Sequence, residues 1–204
     1  MQYSDAIAAV AAGRRRSTDK ETSDEVLVGL IAKGDRDAMQ VLFGRHNVRV
    51  FRFLTRFVDN EATAEDLVSE VFIEVWRNAG QFEARSQVST WLLAIARHKA
   101  LSALRRRSAD ELDDDVIEFI EDPSDSPEVT LQKTERSEIL RDCLKQLSPA
   151  HREIIDLVYY HERTIDDVAE IIGVPANTVK TRMFYARKRI GELLAARGLE
   201  RAWV

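Results

Sequence analysis

Apolar residues recur at three- and four-residue spacing along most of this chain, a pattern that predicts helices rather than strands. Strand-like alternation with turn dipeptides is scarce. In the first half of the chain the apolar runs follow residues that commonly cap helices, namely Ser23 or Asp24, Thr63, and Ser89 or Thr90. Four helices are predicted there: from near Glu25 to Gly34, from about Asp37 through Phe57, from Thr63 to about Asn78, and from Trp91 to about Arg107.

The second half of the chain predicts four more helices, and the last two are separated by a tight corner. Gly173 interrupts an apolar stripe where a helix end favours a residue that tolerates positive φ. Pro175 then presets φ for the first turn of the next helix. Because Ala169 is small and Val179 is apolar at the point where the two helices cross, the pair matches a helix-turn-helix. The predicted ranges are about 128–147, 148–160, 165–172 and 176–190.

The last helix predicts which of its faces meets DNA. With Val179 at the centre of the buried face, steps of about 100° per residue place five candidates for base contacts on the opposite side: Asn177, Thr181, Phe184, Tyr185 and Lys188. Four cations fall on the flanks, where a helix in the major groove brings them to phosphates: Lys180, Arg182, Arg187 and Arg189. A basic helix that is merely solvated is the alternative.

Two further segments carry candidate binding residues. In the helix that ends at Asn78, an apolar face that includes Trp76 is predicted to be buried, which leaves Ile73 exposed among charges as a partner surface or as one stray apolar residue on a solvated face. Further on, basic and aromatic side chains alternate as in proteins that bind single-stranded or melted nucleic acid. The alternative is that the aromatics belong to the core and the cations complement a helix C-terminus. These residues are Phe82, Arg85, Ser86, Trp91, Arg97, His98, Lys99 and residues 105–107.

Composition and charge divide the 204 residues into two domains. The formal net charge is −5, but ten acidic residues and no Lys or Arg lie between Asp110 and Glu128, so the remainder carries +5. Two basic parts separated by an acidic segment fit binding to a phosphate backbone. The predicted divisions are a tail at 1–21, a helical domain at 22–107, an acidic linker at 108–128 and a second helical domain at 129–204.

Catalytic and metal-binding motifs are not found in the sequence. His161 and Glu162 begin like a zinc-protease motif, but Ile165 stands where the second histidine is needed. Cys143 is the only cysteine, so an internal disulfide is excluded and a reducing cytoplasm is expected. No apolar run reaches the length of a membrane span. We therefore expect a non-enzymatic, all-α protein without metal or cofactor.

Three segments together resemble conserved regions of a known family. They are AEDLVSEVFIEVWRN (Ala64 to Asn78), STWLLAIARHKALSALRRR (Ser89 to Arg107) and the stretch from Leu147 to Ile190. Their order and spacing are similar to those of regions 2 and 4 of the extracytoplasmic-function (ECF) class of sigma-70-type RNA polymerase sigma factors. The resemblance covers residues 22 to about 195.

The resemblance implies a role for each domain. Region 2 would bind the clamp of core RNA polymerase and the −10 promoter element, and region 4 would read the −35 element. The polymerase-binding positions are Asp66, Ser69, Glu70, Phe72 and Ile73, and Ser69 replaces a glutamine that is common in the family. The −10 segment is the Phe82–Ser89 loop together with the start of the Trp91 helix. In that helix, His98 replaces a frequent asparagine. The base-reading positions are Lys180, Thr181, Phe184 and Tyr185, so Lys180 is assigned to bases here and to the flank by the helical wheel.

The resemblance also implies partners and regulation. Core polymerase and promoter DNA are expected as partners, an anti-sigma protein is expected to hold the factor inactive until a stress signal, and the acidic linker would occupy the nucleic-acid path of the polymerase. Two other interpretations remain. A stand-alone helix-turn-helix regulator would bind duplex operators as a dimer, and a helical interaction module would use its basic face for an acidic protein.

Overall fold

The computed structural model describes residues 22–58, 60–110 and 139–198, and all regular elements in these ranges are helical. The predicted tail (1–21) and almost all of the acidic linker (108–128) lie outside them. The N-terminal domain contains α1 (Asp24–Ile31), α2 (Arg36–Leu54), α3 (Glu61–Asn78), a 3-10 turn (Ala79–Gln81) and α4 (Val88–Asp110). The C-terminal domain contains α5 (139–145), α6 (Pro149–Tyr159), α7 (Ile165–Ile172) and α8 (Ala176–Ala195).

Side-chain caps define where the N-terminal helices begin. Ser23 caps α1 as predicted, and the Asp35 carboxylate accepts hydrogen bonds from the backbone N–H groups of the first turn of α2. The predicted cap of α3 was wrong by three residues, because the side chain of Asn60, not Thr63, caps this helix. The prediction for α4 was also wrong, since this helix begins at Val88 and Thr90 lies within its first turn.

The core of the N-terminal domain consists of the apolar faces of α2, α3 and α4. Phe53, Leu42 and Val71 are fully enclosed. Phe43 packs edge-on against Phe72, with ring centroids 4.8 Å apart. The sequence pattern assigned Trp76 to this core, but its side chain is 38% exposed. Trp76 therefore contributes to the surface of α3 beside Ile73.

The C-terminal domain confirms the predicted helix-turn-helix. Thr164 and Asp167 form a reciprocal capping box at the start of α7. Gly173 ends α7 with φ of 76°, a left-handed conformation that a side chain with a Cβ would strain. α8 packs against both α6 and α7. Its buried residues are Val179, Met183, Ala186 and Leu194.

The two domains are in contact with each other. α4 of the N-terminal domain packs along α7 of the C-terminal domain. At a second point, the Phe53 ring meets the His161 ring edge-on, with centroids 5.4 Å apart. The first helix of the helix-turn-helix therefore lies between the second helix and the N-terminal domain.

An acidic side chain links α1 to α2. The Asp24 carboxylate accepts hydrogen bonds from Arg45 Nη1 and His46 Nε2, each at 2.6 Å. Burial raises the pKa of Asp24, but these two hydrogen bonds outweigh the burial, and the net pKa lies below the ordinary value of 3.8. The charged form is therefore stabilised in the folded protein.

Replacing Asp24 with asparagine is expected to lower the free energy of unfolding by about 1–2 kcal/mol at pH 7. Because the folded pKa is depressed, this contribution is present above pH 3.8 and is lost as the pH falls through the folded pKa. Urea unfolding at pH 7 and at pH 3 measures both effects. Asp37→Asn, which removes an exposed carboxylate from α2, is the control. Equal stabilities of wild type and Asp24→Asn at pH 7 would contradict the assignment.

Within residues 22–58, 60–110 and 139–198, no helix has the length and apolar character needed to cross a bilayer. No cluster of three or more His, Cys, Asp or Glu side chains in the same residues is arranged to hold a metal ion.

Candidate nucleic-acid and protein interfaces

The outer face of α8 is polar and aromatic, as the helical wheel predicts. Its inner side is occupied by Val179, Met183 and Ala186, which are all buried. On the opposite side, Phe184 and Tyr185 are 63% and 54% exposed, and their rings contact each other edge-on. The remaining exposed predicted residues are Asn177, Lys180, Thr181, Arg187, Lys188 and Arg189. Two large exposed aromatic rings within a basic helix face favour a binding surface over a merely solvated helix.

Local contacts orient several side chains of this face. The Thr181 hydroxyl donates to the carbonyl oxygen of Asn177 at 2.9 Å, which fixes the orientation of this side chain on the helix. The Arg187 guanidinium lies 5.9 Å from the centre of the Tyr159 ring, so this cation is held over α6. Arg182 is half-buried on the flank. Lys180 is exposed beside the buried Val179, which agrees with the flank position of the wheel.

A second candidate surface lies on α3. Asp66, Ser69 and Ile73 are exposed there, and Glu70 is half-exposed. Because they are spaced three or four residues apart, they lie on one helix face. Ile73 is 49% exposed, and Trp76 lies one turn further along. By contrast, Phe72 is buried against Phe43, so the structure places it beneath this surface and not in it.

Lys99 connects this surface to α4. Its Nζ lies 3.1 Å from Glu74 Oε2 and 4.0 Å from Glu70 Oε2. The hydrogen bond and charge of Lys99 hold the pKa of Glu74 below its ordinary value. The predicted −10 residue Lys99 is therefore paired within its own domain. Glu74 was not among the predicted site residues, although its position one turn from Glu70 places it on the same side of the helix.

Some of the predicted −10 residues lie around the start of α4. The Phe82 and Trp91 rings pack with centroids 5.0 Å apart, and both are half-buried. Arg85 is exposed and paired with Glu83 at 2.6 Å. His98 is exposed on α4. The structure thus brings an aromatic pair and Arg85 to the start of α4, whereas Arg97, His98 and Lys99 lie further along this helix.

Two of the predicted −10 residues, Ser86 and Arg97, form hydrogen bonds with the C-terminal domain. Ser86 Oγ donates to Glu170 Oε1 at 2.6 Å. Arg97 Nε donates to Glu153 Oε1 at 2.6 Å, and Arg97 Nη2 donates to the other oxygen of the same carboxylate at 3.3 Å. Sequence reasoning missed Glu153 and Glu170, because nothing in local spacing relates a carboxylate to a partner more than 50 residues away.

Two family models match the chain at these two domains. The model for "Sigma-70 region 2" matches residues 42–109, and the model for "Sigma-70, region 4" matches residues 137–190. The first includes the α3 surface and the start of α4, and the second includes α6, α7 and most of α8.

Curated relatives and solved structures agree with the family models. The RNA polymerase sigma factor CarQ of Myxococcus xanthus is 33% identical over 171 residues, which is 82% of this chain and 95% of that protein. The ECF RNA polymerase sigma-E factor of Haemophilus influenzae is 32% identical, covering 84% and 95%. The sigma factor RpoE of Bartonella quintana, in complex with the anti-sigma factor NepR, superposes with a TM-score of 0.58 at 28% identity, covering 78% and 98%.

A second solved structure shares the fold. CnrH, in complex with the cytosolic domain of CnrY, has a TM-score of 0.61 at 23% identity and covers 86% of this chain and 99% of that one. Relatives above 30% identity match almost their whole length, and both domains carry the family models. The chain therefore belongs to the ECF group of sigma-70-type RNA polymerase sigma factors, which are promoter-specificity subunits and not enzymes.

Proposed function

We propose that this sigma factor grips a promoter at two points while its α3 surface is bound to core polymerase. The observation that carries the proposal is the outer face of α8, where exposed aromatic, polar and cationic side chains stand opposite a fully buried apolar stripe. Such a face fits the major groove of a duplex. The C-terminal domain therefore reads the −35 element.

Residues on the groove face divide by chemistry. Asn177, Thr181 and Lys188 offer donors and acceptors to base edges, and Phe184 and Tyr185 offer apolar contact to thymine methyl groups. Cations on the flanks contact phosphates and fix the register of the helix in the groove. The flank residues are Lys180, Arg182, Arg187 and Arg189.

The −10 element is captured by the N-terminal domain in this proposal. Bases of a melted strand stack on or beside the Phe82 and Trp91 rings, which already pack at the end of the domain. Arg85, Ser86 and Arg97 bind the backbone of that strand. His98 and Lys99 lie further along α4, where Lys99 also holds Glu74 of α3.

Core polymerase binds the α3 surface in this proposal. Ile73 is the apolar anchor of this surface, and Asp66, Ser69 and Glu70 surround it. Phe72 supports the helix from beneath. We add Trp76, because its exposed ring extends the apolar anchor by one turn. Exposed aromatic and apolar residues framed by charge are typical of interface hot spots.

We also propose that an anti-sigma protein holds this factor inactive until a stress signal releases it. The support is the likeness to RpoE of Bartonella quintana, which was crystallised with the anti-sigma factor NepR. A partner of this kind competes with the polymerase if it covers the α3 surface or the domain boundary.

Transcription with purified components tests the proposed function. The protein together with core polymerase is expected to start transcripts at a defined set of promoters, and neither component alone is expected to do so. Identical transcripts from core polymerase without the protein would contradict the proposal. Filter binding without polymerase distinguishes a sigma factor from a stand-alone regulator. Only the stand-alone regulator is expected to retain duplex operators tightly in this measurement. Weak binding with little dependence on salt concentration identifies the interaction module.

A further inference from the structure

The boundary between the two domains contains most of the buried polar groups in the described part of the chain. Thr90, Glu153, Asp156, His161 and Arg163 lie there, whereas His46 is the only buried polar side chain elsewhere in that part. Charged groups lose hydration when they are buried, and pairing offsets this loss only in part. Closing a boundary built from such groups therefore carries a desolvation cost.

The contacts across this boundary are specific. Arg163 Nη1 of the C-terminal domain donates to Ser89 Oγ at 2.7 Å and to Gln87 Oε1 at 3.2 Å. Thr90 Oγ1 donates to Asp167 Oδ1 at 2.8 Å. Since Asp167 also closes the capping box of α7, the first helix of the helix-turn-helix is anchored directly on the −10 segment.

Part of the boundary has incomplete hydrogen bonding. Arg56 Nη2 lies 3.4 Å from Asp156 Oδ1, and the Arg56 guanidinium stacks over the Tyr160 ring. Asp156 Oδ2 lies 3.4 Å from His161 Nε2, but Asp156 Oδ2 and His161 Nδ1 are buried without a hydrogen-bond partner in the described part of the structure. Buried polar atoms left without hydrogen bonds cost free energy. This region therefore stabilises the closed arrangement less than fully hydrogen-bonded groups would.

We propose that the closed arrangement is a self-masked state of the sigma factor, in which carboxylates of the C-terminal domain occupy groups that would otherwise bind the −10 strand. Glu153 sits on Arg97 with both oxygens, as a phosphate would, and Glu170 sits on Ser86. The outer face of α8 stays exposed in the same state. Capture of the −10 strand is blocked while contact with the −35 element is not, so the domains must separate before the promoter is melted. This inference rests on the proposed −10 role of Arg97 and Ser86.

The paired substitution Glu153→Gln/Glu170→Gln tests the closed state without polymerase or DNA. Spin labels are attached at Arg77→Cys and Ala195→Cys, which are exposed positions in the two domains, in a Cys143→Ala background. Double electron–electron resonance then measures the distribution of distances between the domains. We expect a narrow distribution for the unsubstituted boundary and a broad one for the pair. The control pair, Asp166→Asn/Glu192→Gln, removes the same number of negative charges from exposed positions. Its distance distribution should stay narrow. A broad distribution in the unsubstituted protein overturns the closed state, and a distribution that stays narrow in Glu153→Gln/Glu170→Gln overturns the role of these two carboxylates in holding it.

Binding of a fluorescent single-stranded oligonucleotide carrying the −10 sequence tests the masking. If the closed form makes up about nine-tenths of the population, opening it raises the apparent affinity about tenfold. The control pair should change the affinity little, which separates unmasking from a general gain in positive charge. A variant that opens in the distance measurement but binds the strand no better than the control pair shows that the boundary does not mask the −10 surface. The proposed sigma activity is tested separately by transcription, so failure of either proposal is distinguishable.

Because Glu153 is buried, its replacement acts on folding as well as on the boundary, and a charge exchange provides a second measurement. Glu153→Arg places two cations together and is expected to broaden the distance distribution, whereas Arg97→Glu/Glu153→Arg restores an opposite pair and is expected to narrow it again. A broad distribution for the exchange, in a protein whose circular dichroism spectrum is native, counts against the Arg97–Glu153 contact as the closure.

Discussion

Replacing Ile73 with glutamate is expected to abolish transcription from cognate promoters, because it places an unpaired carboxylate in the apolar anchor of the α3 surface. Ile73 is 49% exposed, so the substitution disturbs no core packing in the free protein. At a polymerase interface the same change costs at least about 2 kcal/mol, or roughly 30-fold in affinity. Titration of labelled protein with core polymerase measures this loss, and run-off transcription measures its consequence.

Val26→Glu is the matched control for Ile73→Glu. Val26 is similarly exposed, at 53%, but it lies on α1. Both variants should unfold at the same urea concentration as wild type. If Ile73→Glu binds core polymerase as tightly as Val26→Glu does, the α3 surface is not the polymerase site. An equal loss in both variants shows a general effect of added negative charge.

Replacing Lys188 with glutamate is expected to remove recognition of the −35 element, since it reverses a charge on the groove face of α8. Loss of a base contact costs about 1–3 kcal/mol, and repulsion from the phosphates adds to it, so binding should fall roughly 30- to 150-fold. The measurement is holoenzyme binding to promoter fragments with an intact or a scrambled −35 element. We expect the variant to bind both fragments equally weakly.

Lys145→Glu is the control for this prediction. It makes the same reversal in the C-terminal domain, at an exposed position near the end of α5 that is far along the chain from α8. Wild-type discrimination between the two fragments should persist in this variant. If Lys188→Glu also discriminates between the two fragments, either α8 does not recognise the −35 element or Lys188 lies outside the groove.

The outer face of α8 was predictable because a helix repeats every 3.6 residues. Once Val179 is placed in the core, the positions of Thr181, Phe184 and Tyr185 follow from the sequence, and the structure exposes all three. Helix starts were harder to predict. Thr63 looks like a cap, but Asn60, directly before the observed start at Glu61, accepts the capping hydrogen bond. Several polar residues in a short stretch offer competing caps, and the packing of the helix selects among them.

The face of α3 was predicted less accurately. An apolar stripe wide enough to include both Phe72 and Trp76 contains more large side chains than the core accommodates. The structure encloses Phe72 against Phe43 and leaves Trp76 partly outside. Which of the two is enclosed depends on the position of α2, which lies earlier in the chain, and local periodicity carries no information about that position.

By itself, the sequence determined the helical class, the helix-turn-helix corner at Gly173 and the exposed outer face of α8, because each depends on residues within a few turns of one another. Only the tertiary structure decided that Ser86 meets Glu170 and that Arg97 meets Glu153. These pairs join positions 84 and 56 residues apart. No periodic pattern specifies such pairs, since they form only after two separately folded domains pack together and bury their charged groups between them.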